Sequence, residues 1–456
     1  MCRATVYPKK DFPMSIVRIV GATLQRVLGA SADLLGRQTG VIQRQRKFSG
    51  ATLLKTLVLT VMKTPNAKPD DYVATAARLG VFVTPEAIEK RFTPKLVDFL
   101  RKALEEAMAE MVKAKPVTTT ILEKFTTVFV GDSTTVTLPE EYAEEFPGCG
   151  GKSGSGKAAL KIQVLWDLVT GDFPKIALEP GKNSDGRSLL MEGPVPTGSL
   201  TVLDLGYFSL NRFRELSGYA AYWISRFQQG TSAFHPEGSP VNLLEAARQH
   251  HGNGPLDIPI LLGAKERLSC RLILIRVPQE VADRNRRKAY EKASKHGRVP
   301  TRECLDWCDW TAYVTNCPVA LLTWKEVVVL YRTRWQIELL FKLWKSHGQL
   351  DKHRTGKAAH WQMAELFAKL IGVILQHWLL LVSTWGETRR SLRKAAKVIR
   401  DRVADLIENW DDLDRLREVL EKMKVVIEAN AQVDYRRKHP SAFQLQANPE
   451  LLDYRA

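Results

Sequence analysis

Cysteine is scarce in this sequence, with six among 456 residues. That is too few for a disulfide framework in a chain of this size. Cys304, Cys308 and Cys317 are spaced C-x3-C-x8-C, without the CxxC pair common at structural zinc sites, so no zinc centre is expected. A secretory signal is also missing, because MCRATVYPKKDFP holds no apolar stretch, and a reducing cytoplasm is the expected compartment. Long hydrophobic runs are absent as well. The best, Leu370 to Gly386, is uncharged over 17 residues but contains Gln376, His377, Ser383 and Thr384. A membrane span needs ~20 apolar residues, so a buried core helix is expected there instead. Acidic residues fall short of basic ones, 50 against 67, for a formal net charge of +17. This favours a polyanionic partner, nucleic acid before a membrane surface.

What is present is a hydrophobic fraction of 45%, enough to fill a core in a chain of two to four domains. Residues 14–115 read as helices, with apolar residues three and four apart. Within them DDYVATAARLGVFVTPEAIEKRFTP has an Ala-rich helix, a turn at Gly80 and a second helix opened by Thr84-Pro85-Glu86. That is the outline of a helix-turn-helix, with Lys90 and Arg91 as candidate contacts for end recognition.

After Pro116 the chemistry becomes that of strands. FTTVFVGDSTTVTLP is rich in β-branched residues, and Asp132 stands in its middle, where a carboxylate is costly unless it is paired or metal-bound. The following Gly151 to Ala158 stretch nearly spells a phosphate-binding P-loop, but Ala158 stands where the Mg²⁺-binding hydroxyl is needed. It reads as a basic loop between strands. LKIQVLWDLVTGDFPKIALEPG is a hairpin turning at 169–172, and a short helical piece follows around SDGRSLLM. In LTVLDLGYFSL a strand ends at Asp204. Three antiparallel strands followed by one parallel to the first would place Asp204 beside Asp132.

Residues 221–230 read as another strand, and ILLGAKERLSCRLILIRV as two more. A basic helix then carries Arg284, Arg286, Arg287, Lys288 and Lys292, close in sequence to Trp307 and Trp310. Basic and aromatic residues together suit unstacked bases, although core tryptophans have the same signature. Beyond them, Tyr331 to Lys345 reads as a helix. At ~100° per residue, with Tyr331 at zero, Arg334 lies at about −60°, Glu338 at about −20°, Lys342 at about +20° and Lys345 at about −40°. Ile337, Leu340, Leu343 and Trp344 cover the other side, while Arg332 and Gln336 fall awkwardly on it. From His353 onward the chain is helical and in places strongly basic, as in ETRRSLRKAAKVIRDR, and its last residues lose periodicity.

Asp132, Asp204 and Glu338 are therefore three carboxylates on separate elements, as a site for two divalent ions roughly 4 Å apart requires. With Tyr331, Arg334, Glu338 and Lys345 in the pattern Tyr-x2-Arg-x3-Glu-x6-Lys, and with GDST and DLGYF around the aspartates, the chain resembles the DDE transposases of bacterial insertion sequences. The resembling branch is the one with the YREK signature, the insertion sequence four type, and the likeness covers about residues 45 to 385.

The resemblance implies an α/β fold: a ribonuclease H-like catalytic core with a β-rich insertion, flanked by helical N-terminal and C-terminal domains. The implied boundaries are a DNA-binding domain over 1–118, core over 119–220 and 326–386, the insertion over 221–325 and a dimerisation or DNA-contact region over 387–456. It also implies Asp132, Asp204 and Glu338 as catalytic metal ligands for Mg²⁺, with Mn²⁺ able to substitute. Tyr331, Arg334, Lys342 and Lys345 become phosphate contacts, and Trp310 stacks on a flipped base, with Trp307 as the fallback. The partner would be double-stranded DNA, both transposon ends and target, handled by a homodimer in the bacterial cytoplasm at the nucleoid. The expected activity is metal-dependent strand cleavage and strand transfer, cut-and-paste, with a hairpin intermediate as one route. The alternatives are a non-catalytic DNA-binding regulator or domesticated remnant, and a P-loop NTPase.

Overall fold

A computed structural model describes residues 15–452 apart from 45, 118, 151–155, 189, 191, 251–253, 355, 384, 387, 388 and 437–439. The near-P-loop glycines and serines at 151–155 lie outside the described residues. The chain forms two compact units. One takes its residues from Met1–Lys115, Ala364–Thr384 and Leu392–Ala431, the other from Pro116–Met363, Trp385–Ser391 and Gln432–Ala456.

The first unit is helical. It opens with α1 (Ile16–Gln25) and α2 (Ala32–Gln38), joined by a π-helical turn over Arg26–Ser31. Then come α3 (Gly50–Lys63), α4 (Pro69–Arg78), α5 (Pro85–Glu89) and α6 (Pro94–Ala109). Ser49, Thr84 and Thr93 cap the starts of α3, α5 and α6 by accepting backbone N–H bonds. The expected second helix of the helix-turn-helix is thus only five residues long, about 7.5 Å at 1.5 Å per residue. It is a shorter element than the groove-reading helix of that motif.

The second unit is built on a nine-stranded sheet: β1 (Val128–Thr137), β2 (Ala159–Asp167), β3 (Lys175–Pro180), β4 (Leu200–Leu203), β5 (Tyr222–Arg226), β6 (Ala233–Phe234), β7 (Leu256–Leu262), β8 (Leu268–Arg276) and β9 (Trp310–Thr315). Their order is β3-β2-β1-β4-β5-β9-β8-β7-β6. β1, β2 and β3 are antiparallel, β4 runs parallel to β1, and β5 parallel to β4. The anticipated juxtaposition of β1 and β4 is therefore present. Among the described residues, the expected helical piece before β4 includes the 3₁₀ turn Asp185–Arg187.

β2 is buried along its whole length, including its polar Lys161, Gln163 and Asp167. Its hairpin turn is organised by Asp167, whose Oδ1 accepts from the Val169 N–H at 2.8 Å, and by Gly171 at φ 82. A strand, not a helix, follows at Ala159, so the P-loop reading lacks the helix N-terminus that phosphate binding needs. At the far edge the two-residue β6 leaves little strand open to pairing.

The helices interspersed with and following these strands are α7 (Leu210–Gly218), α8 (Leu243–Gln249), α9 (Gln279–Ser294), α10 (Arg302–Asp306), α11 (Trp324–Thr333) and α12 (Trp335–Ser346). A core on one face gathers Phe129, Leu203, Phe213, Trp223, Leu272 and Val314. Phe213 and Trp223 stack within it at 4.2 Å and 7°. The chain continues as α13 (Ala359–Ser383), α14 (Leu392–Asp401), α15 (Val403–Glu408), α16 (Leu413–Asn430) and α17 (Ala442–Ala447). α13 is the one described helix long and apolar enough to cross a membrane, and its apolar window is buried inside the protein. From Ala364 it packs with the N-terminal helices. There a Cβ on Gly372 would meet Met62 Cγ at 3.0 Å, so the helix surfaces touch. α14 buries Ala395, Ala396 and Ile399, while Arg393, Lys394 and Lys397 stay exposed.

Replacing fully buried Trp223 by alanine is expected to cost about 3–5 kcal/mol. It should appear as a lower urea midpoint at unchanged m-value, and an unchanged midpoint would remove this stack from the core.

Candidate active site

The register of the β1–β4 pair builds the first half of the site. Gly131 lies beside Leu203, so the next residues, Asp132 on β1 and Asp204 just past β4, project from adjacent strands. β1 passes there from buried Val128–Gly131 to half-buried Asp132 and Ser133.

The second half comes from α11 and α12. α11 starts at a capping box in which Thr323 and Glu326 bond reciprocally, and Lys124 ties Glu326 down at 2.6 Å. The expected single helix from Tyr331 to Lys345 is instead two helices that meet at Arg334. Here the Arg334 N–H bonds to the Tyr331 carbonyl at 3.2 Å and the Ile337 N–H to the Arg334 carbonyl at 3.1 Å. Both are i to i−3 bonds, which tighten the winding locally.

Arg334 is the centre of the cluster. Its Nη1 donates to Asp132 Oδ2 at 3.0 Å, its Nη2 to Glu338 Oε1 at 2.6 Å, and its Nε lies 3.5 Å from Asp204 Oδ1. The Tyr331 hydroxyl donates to Asp204 Oδ1 at 3.2 Å. Three carboxylates against one guanidinium leave a surplus of negative charge, and the Asp132 carboxyl is pushed up to about 6. Burial is the main cause, opposed by the Ser133 N–H and Arg334 and reinforced by Asp204 and Glu338. Burial works against charge on Arg334 too, but Asp204, Tyr331, Glu338 and Asp132 outweigh it and hold that group above its ordinary value. Burial, with Asp204 beside it, raises the Tyr331 phenol, which stays neutral.

The donor set is oxygen only, which suits a hard divalent ion. Among the described residues no three His, Cys, Asp or Glu side chains stand close enough together to hold a metal as they are. The reason is visible at Asp132, Asp204 and Glu338: the guanidinium sits between them. The residues fit a divalent ion by chemistry and by charge deficit, with Arg334 occupying the space between them.

α12 has three faces rather than the two expected. Ile337, Leu340, Phe341, Leu343 and Trp344 are buried, and Arg334 and Glu338 face the acidic cluster. Lys345 lies beside β1 and donates to the Thr135 carbonyl at 2.9 Å. A third stripe of Arg332, Trp335, Leu339 and Lys342 is exposed, which resolves the awkward position of Arg332 and separates Lys342 from the cluster. Trp335 is 56% exposed. Its i, i+3, i+7, i+10 spacing marks this stripe in the sequence, but Trp335 and Leu339 interrupt its polar character.

Trp310 opens β9 half-buried against the core, and Trp307 is buried, stacked on Phe227 at 5.6 Å. The basic residues near them in sequence have other surroundings. Arg286 pairs with Asp283 and Asp309, while Arg284, Arg287, Lys288 and Lys292 are exposed on α9. In the helical unit, Lys90 is exposed and Arg91 is half-buried, its guanidinium 5.4 Å from the Phe48 ring.

Residues 123–369 match the family model described as Transposase DDE domain. Among curated proteins, the chain is 26% identical over 443 residues to the transposase for insertion sequence element IS231F of Bacillus thuringiensis subsp. israelensis, covering 90% of this chain and 91% of the relative. It is 27% identical over 448 residues to that of IS231B from Bacillus thuringiensis subsp. berliner, with the same coverage. Against that of IS1151 from Clostridium perfringens it is 27% identical over 321 residues, covering 65% and 66%.

A carboxyl raised above its unfolded value favours folding while protonated. The contribution of Asp132 is therefore complete below about pH 4 and lost as pH rises through about 6. Asp132→Asn, neutral at all pH, should gain thermal stability over wild type at about pH 7.5, with the gain fading toward about pH 4. Thermal melts in EDTA across that range test this, and a pH-independent difference would reject the raised Asp132.

Proposed function

The chain belongs to the Transposase DDE domain family, and from that premise we infer that it is a DNA transposase of a bacterial insertion sequence, cutting and joining DNA at Asp132, Asp204 and Glu338. The observation that carries the assignment of the site is the convergence of these carboxylates, from two strands and a helix, on one guanidinium. The family matches and the β3-β2-β1-β4-β5 order, with β4 and β5 parallel to β1, support a ribonuclease H-like core. The spacing of Tyr331, Arg334, Glu338 and Lys345 supports the YREK-signature branch.

Mg²⁺ is the expected cofactor, with Mn²⁺ able to substitute, and two bound ions would activate the attacking water and stabilise the departing 3′ oxygen. Asp132, Asp204 and Glu338 would hold them. Arg334 then has two uses: counter-ion to the carboxylates in the metal-free protein, and two-pronged phosphate contact once they are otherwise neutralised. Tyr331 orients Asp204 through its neutral hydroxyl. The freed 3′-OH serves as nucleophile for the opposite strand, giving a hairpin, or for target DNA. This is a cut-and-paste route in which a base extruded at the bend needs an aromatic platform. Trp310 is the proposed platform, and the more exposed Trp335 beside Arg334 is a second.

Duplex DNA follows the cations. Lys345 lies beside the strand that carries Asp132, and Lys342 is exposed further round α12. On α9 and its C-terminal cap, Arg284, Arg287, Lys288, Lys292 and Lys295 share one face at ~100° per residue, and no ion pair holds them among the described residues. Lys90 and Arg91 are proposed for end recognition within the N-terminal domain, and the C-terminal helices for homodimer contacts. Action at the nucleoid in the cytoplasm follows from the substrate.

Wild type should nick duplexes carrying the element's ends in Mg²⁺ or Mn²⁺, whereas Asp132→Ala, Asp204→Ala and Glu338→Ala should bind them without cutting. Wild type that cuts no better than the variants would overturn the enzyme reading in favour of a binding-only protein. Lys345→Ala, and separately alanine at the five α9 cations, should weaken binding and flatten its salt dependence. The log–log slope should fall by about 0.9 for each phosphate that is no longer neutralised, and an unchanged slope removes those residues from the interface.

A further inference from the structure

Building on that reading of the site, we propose that Asp185 is a positioning residue, a fourth carboxylate that fixes both aspartate-bearing segments without itself touching DNA. It opens the 3₁₀ turn Asp185–Arg187, between β3 and β4. Its Oδ1 accepts from Ser133 Oγ at 2.9 Å, Lys161 Nζ at 3.0 Å and Gln163 Nε2 at 3.3 Å. The strand register gathers these donors, because Ser133 on β1 lies opposite Gln163 on β2, and Lys161 is two residues away on the same face.

Each branch of the network reaches one metal-ligand segment. Ser133 follows Asp132, and its backbone N–H donates to Asp132 Oδ1 at 2.8 Å. The residue that Asp185 anchors by its hydroxyl therefore orients the Asp132 carboxylate by its amide. On the other branch, buried Gln163 accepts from the Tyr207 hydroxyl, and the Tyr207 N–H closes a turn onto the Asp204 carbonyl at 3.0 Å. A Cβ on Gly206 would meet Asp185 Oδ2 at 3.2 Å, so the turn after Asp204 lies directly against this carboxylate.

Lys161, with 11% of its side chain exposed, balances the charge of Asp185. A bare ion pair would satisfy that charge alone. The bonds to Ser133 and Gln163 add a link between two strands whose side chains must agree in position. Satisfied polar networks of this kind rigidify what they join, and outer partners of metal ligands commonly govern metal affinity about 10–100-fold.

The test uses full-length protein, end duplexes and Mn²⁺ as the probe. Ser133→Ala removes the β1 hydroxyl, cutting its bond to Asp185 and its contact with the Tyr207 hydroxyl, and leaves the Lys161–Asp185 pair. Asp185→Asn keeps the shape and loses the charge. Both should raise the Mn²⁺ concentration for half-saturation by about tenfold or more, measured by electron paramagnetic resonance. Metal-free binding to end duplexes and, for Ser133→Ala, the thermal midpoint should match wild type. Ser133→Thr, which keeps the hydroxyl, should restore metal binding. Wild-type Mn²⁺ affinity in Ser133→Ala, or no rescue by Ser133→Thr, overturns the proposal. Cleavage that survives Asp132→Asn would overturn the catalytic reading itself, and this proposal with it, through a separate measurement.

Discussion

Three carboxylates cannot be brought together out of water without a cation, and here that cation is the guanidinium of Arg334. It reaches Asp132, Asp204 and Glu338 at once, which a planar fork with five donors can do and an ammonium cannot match in geometry. The negative charge still exceeds the positive, and burial, reinforced by Asp204 and Glu338, raises the Asp132 carboxyl. The four groups are half-buried, and an ion cluster withdrawn even partly from water repays little of its desolvation as a plain structural device. On the function proposed above, it is a site held ready for divalent ions.

The scaffold is arranged so that this convergence is rigid. Asp132 sits on β1 and Asp204 just past the neighbouring parallel β4, with the register set by a continuous ladder, and α12 brings the third carboxylate to β1 with a packed face of Ile337, Leu340 and Trp344. The tightened junction at Arg334 lets Tyr331, near the end of one helix, and Glu338, in the first turn of the next, share a cluster. The Ser133–Asp185–Gln163–Tyr207 network links the two aspartate-bearing segments a second time, through side chains.

Much of this was legible in the residues. Val128 to Thr137 reads as a strand because β-branched residues crowd it, and Asp132 is conspicuous there because a carboxylate has no local reason to be in such a run. The hairpin after Asp167, the strand leading to Asp204 and the spacing from Tyr331 to Lys345 are local patterns, and each occupies its expected stretch of chain. Other features depend on contacts between distant residues and left no local mark. The junction at Arg334 obeys helical periodicity, so the single expected helix and the two observed ones share a sequence pattern. α5 stops after five residues although Thr84 and Pro85 signal its start equally well for a longer helix. Asp185 reads as an ordinary turn residue, because its partners lie on β1, β2 and the turn after β4.

The sequence by itself determined the chemistry available: which residues carry charge, where strands and helices begin, and a spacing of Tyr331, Arg334, Glu338 and Lys345 that belongs on a helix. Periodicity and capping are short-range, and a one-dimensional reading captures them. Tertiary structure alone decided which groups meet. The parallel pairing of β1 with β4 brought Asp132 next to Asp204, and packing divided α12 into a buried face, a face toward the acids and an exposed stripe that continues Arg332 through Trp335, Leu339 and Lys342. It also buried Trp307 while leaving the cations of α9 toward solvent. Those outcomes follow from burial and from the balance of charge at close range, which exist only once distant segments are in contact.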